Sequence, residues 1–409
     1  MSQANPSPSS SADPPPEHEL GHHPRSQSSR TSNDSGIDSI THSHEKSAND
    51  LPALTGVRGL AAVWVVFNHL DEEWITLFPS WIAMKPITEK GGYAVDFFFL
   101  LSGFILCHAQ SAKGKNFGVK EYKSFLWLRI ARVYPVHLIT LLALIAMVFG
   151  ARFAGVSTEG DYPISGLPAH FSLTHYFPFV EAGPWNYPSW SISVEWFAYL
   201  FVFPVGWRLL QKTFGPLPLL TGVALLMLVS SFALESGQTA TSNLGILRVI
   251  CGFLAGTFLY GIYRRSASFI PPISDLAILW AGAITASAFF LPEGFLCRAI
   301  ILTLCFPVLL LSLSQKDNCL SRFFSTKSMV WLGSISYGLY MSHGIVEKVL
   351  KVIVNPDKFA ASSSAVRSGV LALNVTAILA AAIFLYYCVE TPCRKWLRDI
   401  RWRKQDLPQ

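Results

Sequence analysis

The chain has 409 residues, of which 51% are hydrophobic, 13% aromatic and only 14% charged. A typical soluble domain has about 25% charged residues, so this composition excludes a water-soluble globule and indicates an integral membrane protein in a lipid bilayer. The net charge of +6 does not indicate a nucleic-acid partner, because the basic residues border apolar segments as membrane topology requires.

The seven cysteines show no CxxC or Cys/His spacing. This argues against both a disulfide framework and a zinc module. We also find no glycine-rich phosphate-binding motif after a strand-like run, and the sequence predicts neither a nucleotide-binding fold nor a metal site.

Residues 1–50 contain no apolar stretch and are rich in Ser, Pro and His, which predicts a disordered cytosolic tail. A membrane domain is predicted over residues 51–396, followed by a basic cytosolic tail over residues 397–409. The fold class predicted for the membrane domain is an all-α, polytopic helix bundle.

Apolar runs long enough to span a bilayer recur along the membrane domain and predict about ten transmembrane helices. They lie at about 52–70, 92–109, 133–150, 189–206, 217–234, 244–263, 274–291, 296–314, 329–349 and 368–388. One side of this arrangement carries 22 lysines and arginines and the other seven. The positive-inside rule therefore places both termini in the cytosol, without distinguishing an endomembrane from the plasma membrane.

The longest loop on the extracytosolic side, residues 151–188, is rich in proline and aromatic residues. Its backbone must be covered by protein or solvent. A lid over a site and an ordinary surface loop both fit this composition.

Ionisable residues inside membrane helices are costly and need a partner or a function. Arg58 and His69 share one face of the first span and lie about 16 Å apart along its axis. Asp96 enters the second span from the extracytosolic end, at the predicted depth of His69. We therefore expect Asp96 to orient His69 and raise its basicity, as a general base requires.

Three further polar residues fall at a similar depth on other spans, namely Ser193, Glu195 and His343. Ionisable groups on four spans thus converge, which is the strongest indication of a site. Arg248, near an extracytosolic helix end, is expected to reach the membrane surface instead.

The opposite, cytosolic end is basic. Arg129 and Arg132 lie within the third helix, and together with Arg58 they could hold a phosphorylated cofactor at the inner face. The alternative is a plain basic flank that contacts lipid headgroups.

Six segments in order resemble motifs of the acyltransferase 3 family of integral-membrane O-acyltransferases, across residues 51–396. They are Arg58 to His69, Gly92 to Phe104, Arg129 to Pro135, Trp190 to Glu195, Ser336 to His343 and Glu390 to Pro392. Trp196 stands where a second acid often follows Glu195, which puts any role of that acid in doubt. The resemblance is to a short, fungal-like form without an extra extracytosolic domain.

The resemblance implies transfer of an acyl group, usually acetyl, to a hydroxyl of a small molecule or glycan, including a tailoring step in secondary metabolite biosynthesis. The donor would be acetyl-CoA or another acyl-CoA acting as co-substrate, with no permanently bound cofactor. Arg58, Arg129 and Arg132 would hold the CoA. His69, oriented by Asp96, would deprotonate the acceptor or itself carry the acyl group.

Glu195, His343 and Ser193 would bind the acceptor or the thioester carbonyl. A proton-coupled transporter that uses the same intramembrane His, Asp and Glu groups is the alternative from another functional class.

Overall fold

The computed structural model describes residues 51–114, 117–155, 162–183, 185–212, 214–236, 242–266, 275–292, 294–315 and 318–405. The chain from Leu51 onward forms one compact unit. The predicted disordered tail, residues 1–50, lies outside the described residues.

The described residues form helices joined by loops, with no strand among them, so the predicted all-α bundle is confirmed. The longer helices are α1 (Pro52–Leu77), α2 (Tyr93–Ser111), α3 (Val119–Phe153), α4 (Trp190–Phe197), α5 (Phe203–Gln211), α6 (Pro216–Ser236), α7 (Ser242–Ser266), α8 (Asp275–Phe289), α9 (Phe295–Ala299), α10 (Phe306–Ser314), α11 (Lys327–Ile353), α12 (Ser364–Phe384) and α13 (Thr391–Gln405). The predicted boundary between residues 396 and 397 falls inside α13.

Within the described residues, seven helical stretches are long and apolar enough to cross a membrane, judged by length and composition. The other three predicted spans correspond to α4 with α5, to α8 and to α11. These are less regular or more polar: a π-helical segment, Ala198–Val202, joins α4 to α5, α8 has 15 residues, and α11 carries several serines and His343.

Helix α3 is much longer than predicted, with 35 residues from Val119 to Phe153. Its extra length lies at the N-terminal end, where lysines occupy the first turns. Arg129 and Arg132 therefore sit well inside a continuous helix, and their guanidinium groups enter the bundle.

Helices α1 and α11 run parallel and in backbone contact through glycines. A Cβ atom on Gly333 would lie 1.8 Å from the Thr55 carbonyl oxygen, and one on Gly59 would lie 2.7 Å from the Gly333 nitrogen. Small residues at such a crossing allow membrane helices to approach closely. His69 lies ten residues after Gly59, and His343 lies ten residues after Gly333. This shared register brings the two imidazoles side by side.

Candidate active site

The two histidines of α1 and α11 form a pair, with ring centroids 5.0 Å apart. His69 Nδ1 lies 2.9 Å from the Val65 carbonyl oxygen, and His343 Nδ1 lies 2.7 Å from the Tyr340 carbonyl oxygen. Since a carbonyl oxygen only accepts, each neutral ring carries its proton on Nδ1 and a lone pair on Nε2. This is the tautomer that a general base needs.

The two rings differ in exposure. His69 is exposed, whereas His343 is fully buried. The buried Nε2 of His343 has no hydrogen-bond partner among the described residues. A buried polar atom without a partner is costly, which is typical of a group kept free for a ligand or for chemistry.

A tyrosine from the long loop between α3 and α4 lies against the pair. The Tyr187 ring stacks on His69 at 5.0 Å between centroids, and its hydroxyl donates to Glu347 Oε2 at 3.0 Å. Burial, followed by the charge of Glu347, raises the pKa of the Tyr187 phenol, so it stays protonated. The loop therefore contacts the histidine pair through Tyr187, a residue that sequence reasoning missed.

The predicted pairing of Asp96 with His69 is wrong. The Asp96 carboxylate is fully buried and binds Arg248 through both oxygens, at 3.1 and 2.7 Å. Ser230 donates a further hydrogen bond to it at 3.1 Å. Because a buried carboxylate needs a cation, Asp96 pairs with Arg248. The ion pair connects α2 to α7, and the Ser230 hydrogen bond connects α2 to α6.

Arg248 was likewise expected to reach the membrane surface. It is buried and also lies over the Trp190 ring, 5.2 Å from its centroid. The direction in which the Asp96 side chain points could not be read from spacing alone.

The three predicted cofactor arginines come together. Arg58, Arg129 and Arg132 line one cavity of about 140 Å³ between α1, α2, α3, α4 and α11. Arg58 Nη2 donates to Ser336 Oγ at 3.4 Å. Arg129 Nε is buried and lacks a hydrogen-bond partner among the described residues, so the cavity holds guanidinium donors that are free for an anionic ligand.

Glu195 lies in this arginine cavity and not beside His343 as predicted. Tyr199 donates to Glu195 Oε1 at 2.6 Å, and Ser102 donates to the same oxygen. The carboxylate is thus fixed by two hydroxyls within the electrostatic reach of Arg58 and Arg129. Its position fits a role in organising the arginines.

Ser193 does not face the site either. Its hydroxyl donates to the Leu173 carbonyl oxygen at 2.9 Å and accepts from the Tyr176 amide at 3.0 Å. Its contacts therefore anchor the loop between α3 and α4 to α4. They explain the serine at this position without any acceptor binding.

Tyr340 contacts both the arginine cavity and the histidine pair. This residue lines the cavity together with Ser191, and their hydroxyls are 2.8 Å apart. The Tyr340 carbonyl also holds His343. The two polar centres at opposite ends of α1 are therefore linked by a single turn of α11.

One π-helical segment supplies Tyr199 to the arginine cavity, and a second ends within electrostatic reach of the arginines; neither could be predicted from periodicity. Ala198–Val202 directs Tyr199 to Glu195, and Leu385–Glu390 ends at a buried glutamate whose charge acts on Arg58 and Arg132. Such insertions in α-helices recur at functional sites. Sequence similarity had pointed to Glu390 without giving it a role.

A family model described as an acyltransferase domain, of the acyltransferase 3 type, matches residues 51–389. The chain belongs to the acyltransferase 3 family. The family and the enzyme class predicted from the sequence are thereby confirmed, and the protein is an integral-membrane acyltransferase. The transporter interpretation is not supported.

Relatives of this acyltransferase carry matching names. The chain is 29% identical over 371 residues to the acyltransferase MdmB of Streptomyces mycarofaciens, covering 85% of this chain and 92% of that protein. It is 25% identical to the peptidoglycan O-acetyltransferase OatA of Listeria monocytogenes, covering 84% of this chain and 56% of that protein. It is 22% identical to the putative O-acetyltransferase SAR0937 of Staphylococcus aureus, covering 88% of this chain and 60% of that protein.

The chain thus spans nearly all of the first relative but less than two thirds of the other two. No solved structure matches the chain.

Proposed function

We propose that this acyltransferase moves an acetyl group from a CoA thioester to a hydroxyl of a small-molecule or glycan acceptor. The observation that carries the proposal is the link, through Tyr340, between a cavity lined by three arginines and a pair of histidines with free Nε2 lone pairs. The names of the relatives support O-acetyl transfer.

The arginine cavity suits the donor. Guanidinium groups bind phosphates through paired hydrogen bonds, and Arg58, Arg129 and Arg132 outnumber the two neighbouring glutamates. A cavity of about 140 Å³ is smaller than a site for a whole ligand, which needs about 300 Å³ or more. The narrow thioester arm would therefore enter, while the nucleotide stays at the rim beside the arginines.

The excess of Lys and Arg supports a cytosolic position for this end of the bundle and for both termini. Acyl-CoA would then reach the arginines from the cytosolic side. The histidine pair would lie toward the other face, about 16 Å further along α1.

At the histidine pair, His69 Nε2 takes the proton of the acceptor hydroxyl while the hydroxyl oxygen attacks the thioester carbonyl. The C–S bond breaks, and the departing CoA thiolate receives the proton that His69 took. His343 Nε2 accepts a hydrogen bond from the bound acceptor. The acceptor is a hydroxyl compound of the kind tailored in secondary metabolism or a glycan.

The test uses membranes containing the protein, isotope-labelled acetyl-CoA and an extract of the host, with mass spectrometry of labelled O-acetyl products. His69→Gln and His343→Gln should each lower transfer by about 10²-fold or more, as for loss of a general base. His108→Gln, a histidine of α2 placed away from both polar centres, should keep full activity. Acetyl transfer retained in His69→Gln would contradict the proposal.

A further inference from the structure

A second cavity, of about 490 Å³, lies at the histidine end of the bundle between α1, α3, α11 and a short helix, Pro356–Phe359. This volume is within the range of small-molecule sites. One wall is apolar, formed by Met147, Val148, Ala151, Val352 and Pro356, and the opposite wall is charged.

The charged wall begins one turn beyond the histidine pair. Glu73 follows His69 by four residues on α1, and Glu347 follows His343 by four residues on α11, so these side chains share the helix faces of the imidazoles. The axial separation is about 6 Å. Glu347 is also the residue that accepts from Tyr187.

Negative charge exceeds positive charge around Glu73, which lines the cavity, while Glu347 lies next to Glu73 but outside the lining. Glu73 and Glu347, with side chains 11% and 13% exposed, share a single ammonium group, that of Lys351, at 2.9 and 2.8 Å. At the mouth, Glu72 pairs with Lys85, Lys348 lies over the Tyr162 ring, and Asp357 has no cationic partner among the described residues. Each buried carboxylate needs about one cation, so this cluster has room for another.

We propose that this cavity is the acceptor site and that it selects hydroxyl compounds that carry an amine and an apolar face. The apolar wall takes the apolar face, the ammonium group lies beside Glu73, and the hydroxyl reaches His69. An anionic acceptor is repelled by the unshared carboxylate. The assignment of the hydroxyl to His69 rests on the proposed acetyl transfer; the binding preference does not.

The test uses three matched probes, the octyl glycosides of glucosamine, glucose and glucuronic acid. Their binding to the protein in lipid nanodiscs is measured by saturation-transfer NMR without any acyl donor. The amine probe should bind about tenfold more tightly than the neutral probe, and the acid least. Equal binding of all three would overturn the proposed selectivity.

Variants then locate the site. Glu73→Gln should abolish most of the tenfold preference, and Asp357→Asn, an exposed change at the mouth that spares the fold, should lower it about twofold. Ala151→Trp should block all three probes. The matched control Glu121→Gln, at the start of α3, should change nothing.

If Ala151→Trp leaves binding unchanged in folded protein, the cavity is not the acceptor site. If binding follows these expectations but labelled acetyl-CoA acetylates none of the probes, the binding preference of the cavity stands and the assignment of the bound hydroxyl to His69 fails.

Discussion

Each imidazole of the histidine pair donates a hydrogen bond from Nδ1 to a carbonyl of its own helix, that of Val65 for His69 and that of Tyr340 for His343. A backbone carbonyl cannot titrate or rotate away, so the useful tautomer is fixed by helix geometry alone. The pair therefore needs no carboxylate partner. Asp96 instead links two helices through its ion pair with Arg248.

This assignment predicts the effect of Asp96→Asn. Breaking a buried ion pair leaves one charge without compensation and costs about 3–5 kcal/mol. Asp96→Asn should therefore lower the thermal unfolding temperature sharply, while the folded fraction still transfers acetyl groups. Unfolding is followed by tryptophan fluorescence in detergent, and activity is normalised to folded protein.

Two further variants complete this test. Asp96→Asn combined with Arg248→Met should recover much of the lost stability, because replacing both members of a buried pair is often neutral. The exposed Asp399→Asn on α13 should have no effect. Full stability with no activity in Asp96→Asn would restore the catalytic role predicted from the sequence.

At the scale of the elements, the position of the histidine pair depends on how closely α1 and α11 cross. The Gly333 backbone touches Thr55, with no room for a methyl group. Gly333→Ala should push the helices apart, lower the unfolding temperature and reduce transfer by about tenfold or more, since a displacement of about 1 Å can be that costly. Gly150→Ala in α3, where a methyl group meets open space, should retain both stability and activity; equal effects of the two changes would contradict this packing account.

The loop between α3 and α4 is held by histidines that must stay neutral. His170 and His175 are buried, their rings stack 4.1 Å apart, and each binds loop backbone through Nε2. Burial lowers the pKa of His170 to about 4, and burial lowers the pKa of His175 well below its ordinary value. Below pH 6.5 these two histidines therefore bind protons when the loop is open but stay neutral when it is closed.

Loop closure should consequently be full above pH 6.5 and weaken as the pH falls toward 4, by up to about tenfold per pH unit for each histidine. Hydrogen–deuterium exchange of peptides from residues 162–183, corrected for the intrinsic pH dependence, measures this. Replacing both histidines by glutamine should remove the pH dependence. Protection that is independent of pH in the natural sequence would show that these histidines do not control the loop.

Hydrophobic runs were sufficient to locate the helices, because a membrane span needs about 20 apolar residues, but they did not give the helix lengths, as the 35 residues of α3 show. The runs also predicted the grouping of Arg58, Arg129 and Arg132 and the match of His69 with His343. They misplaced Glu195, which lies among the arginines and not at the level of the histidine pair. The rotation of each helix about its axis was not predictable. It depends on glycine contacts and π-helical insertions such as Ala198–Val202, which is why Asp96, Glu195 and Ser193 were assigned to the wrong neighbours.

At the scale of the whole molecule, α1 carries an arginine cavity near one end and the histidine pair near the other. The two centres are joined through Tyr340 and Ser191 inside the bundle. Under the proposed function, an anionic donor and a hydroxyl acceptor would approach from opposite faces of the membrane, and the acyl group, not the CoA, would cross the bundle.

The sidedness of donor use tests this account most directly. Sealed vesicles in each orientation are prepared with host extract on both sides, and labelled acetyl-CoA, which does not cross membranes, is added outside. Proteolysis of a C-terminal tag reports the orientation. We expect labelled O-acetyl product only when acetyl-CoA meets the face that bears the C-terminus, and none in His69→Gln vesicles. Equal product from acetyl-CoA on the opposite face would contradict the two-ended arrangement.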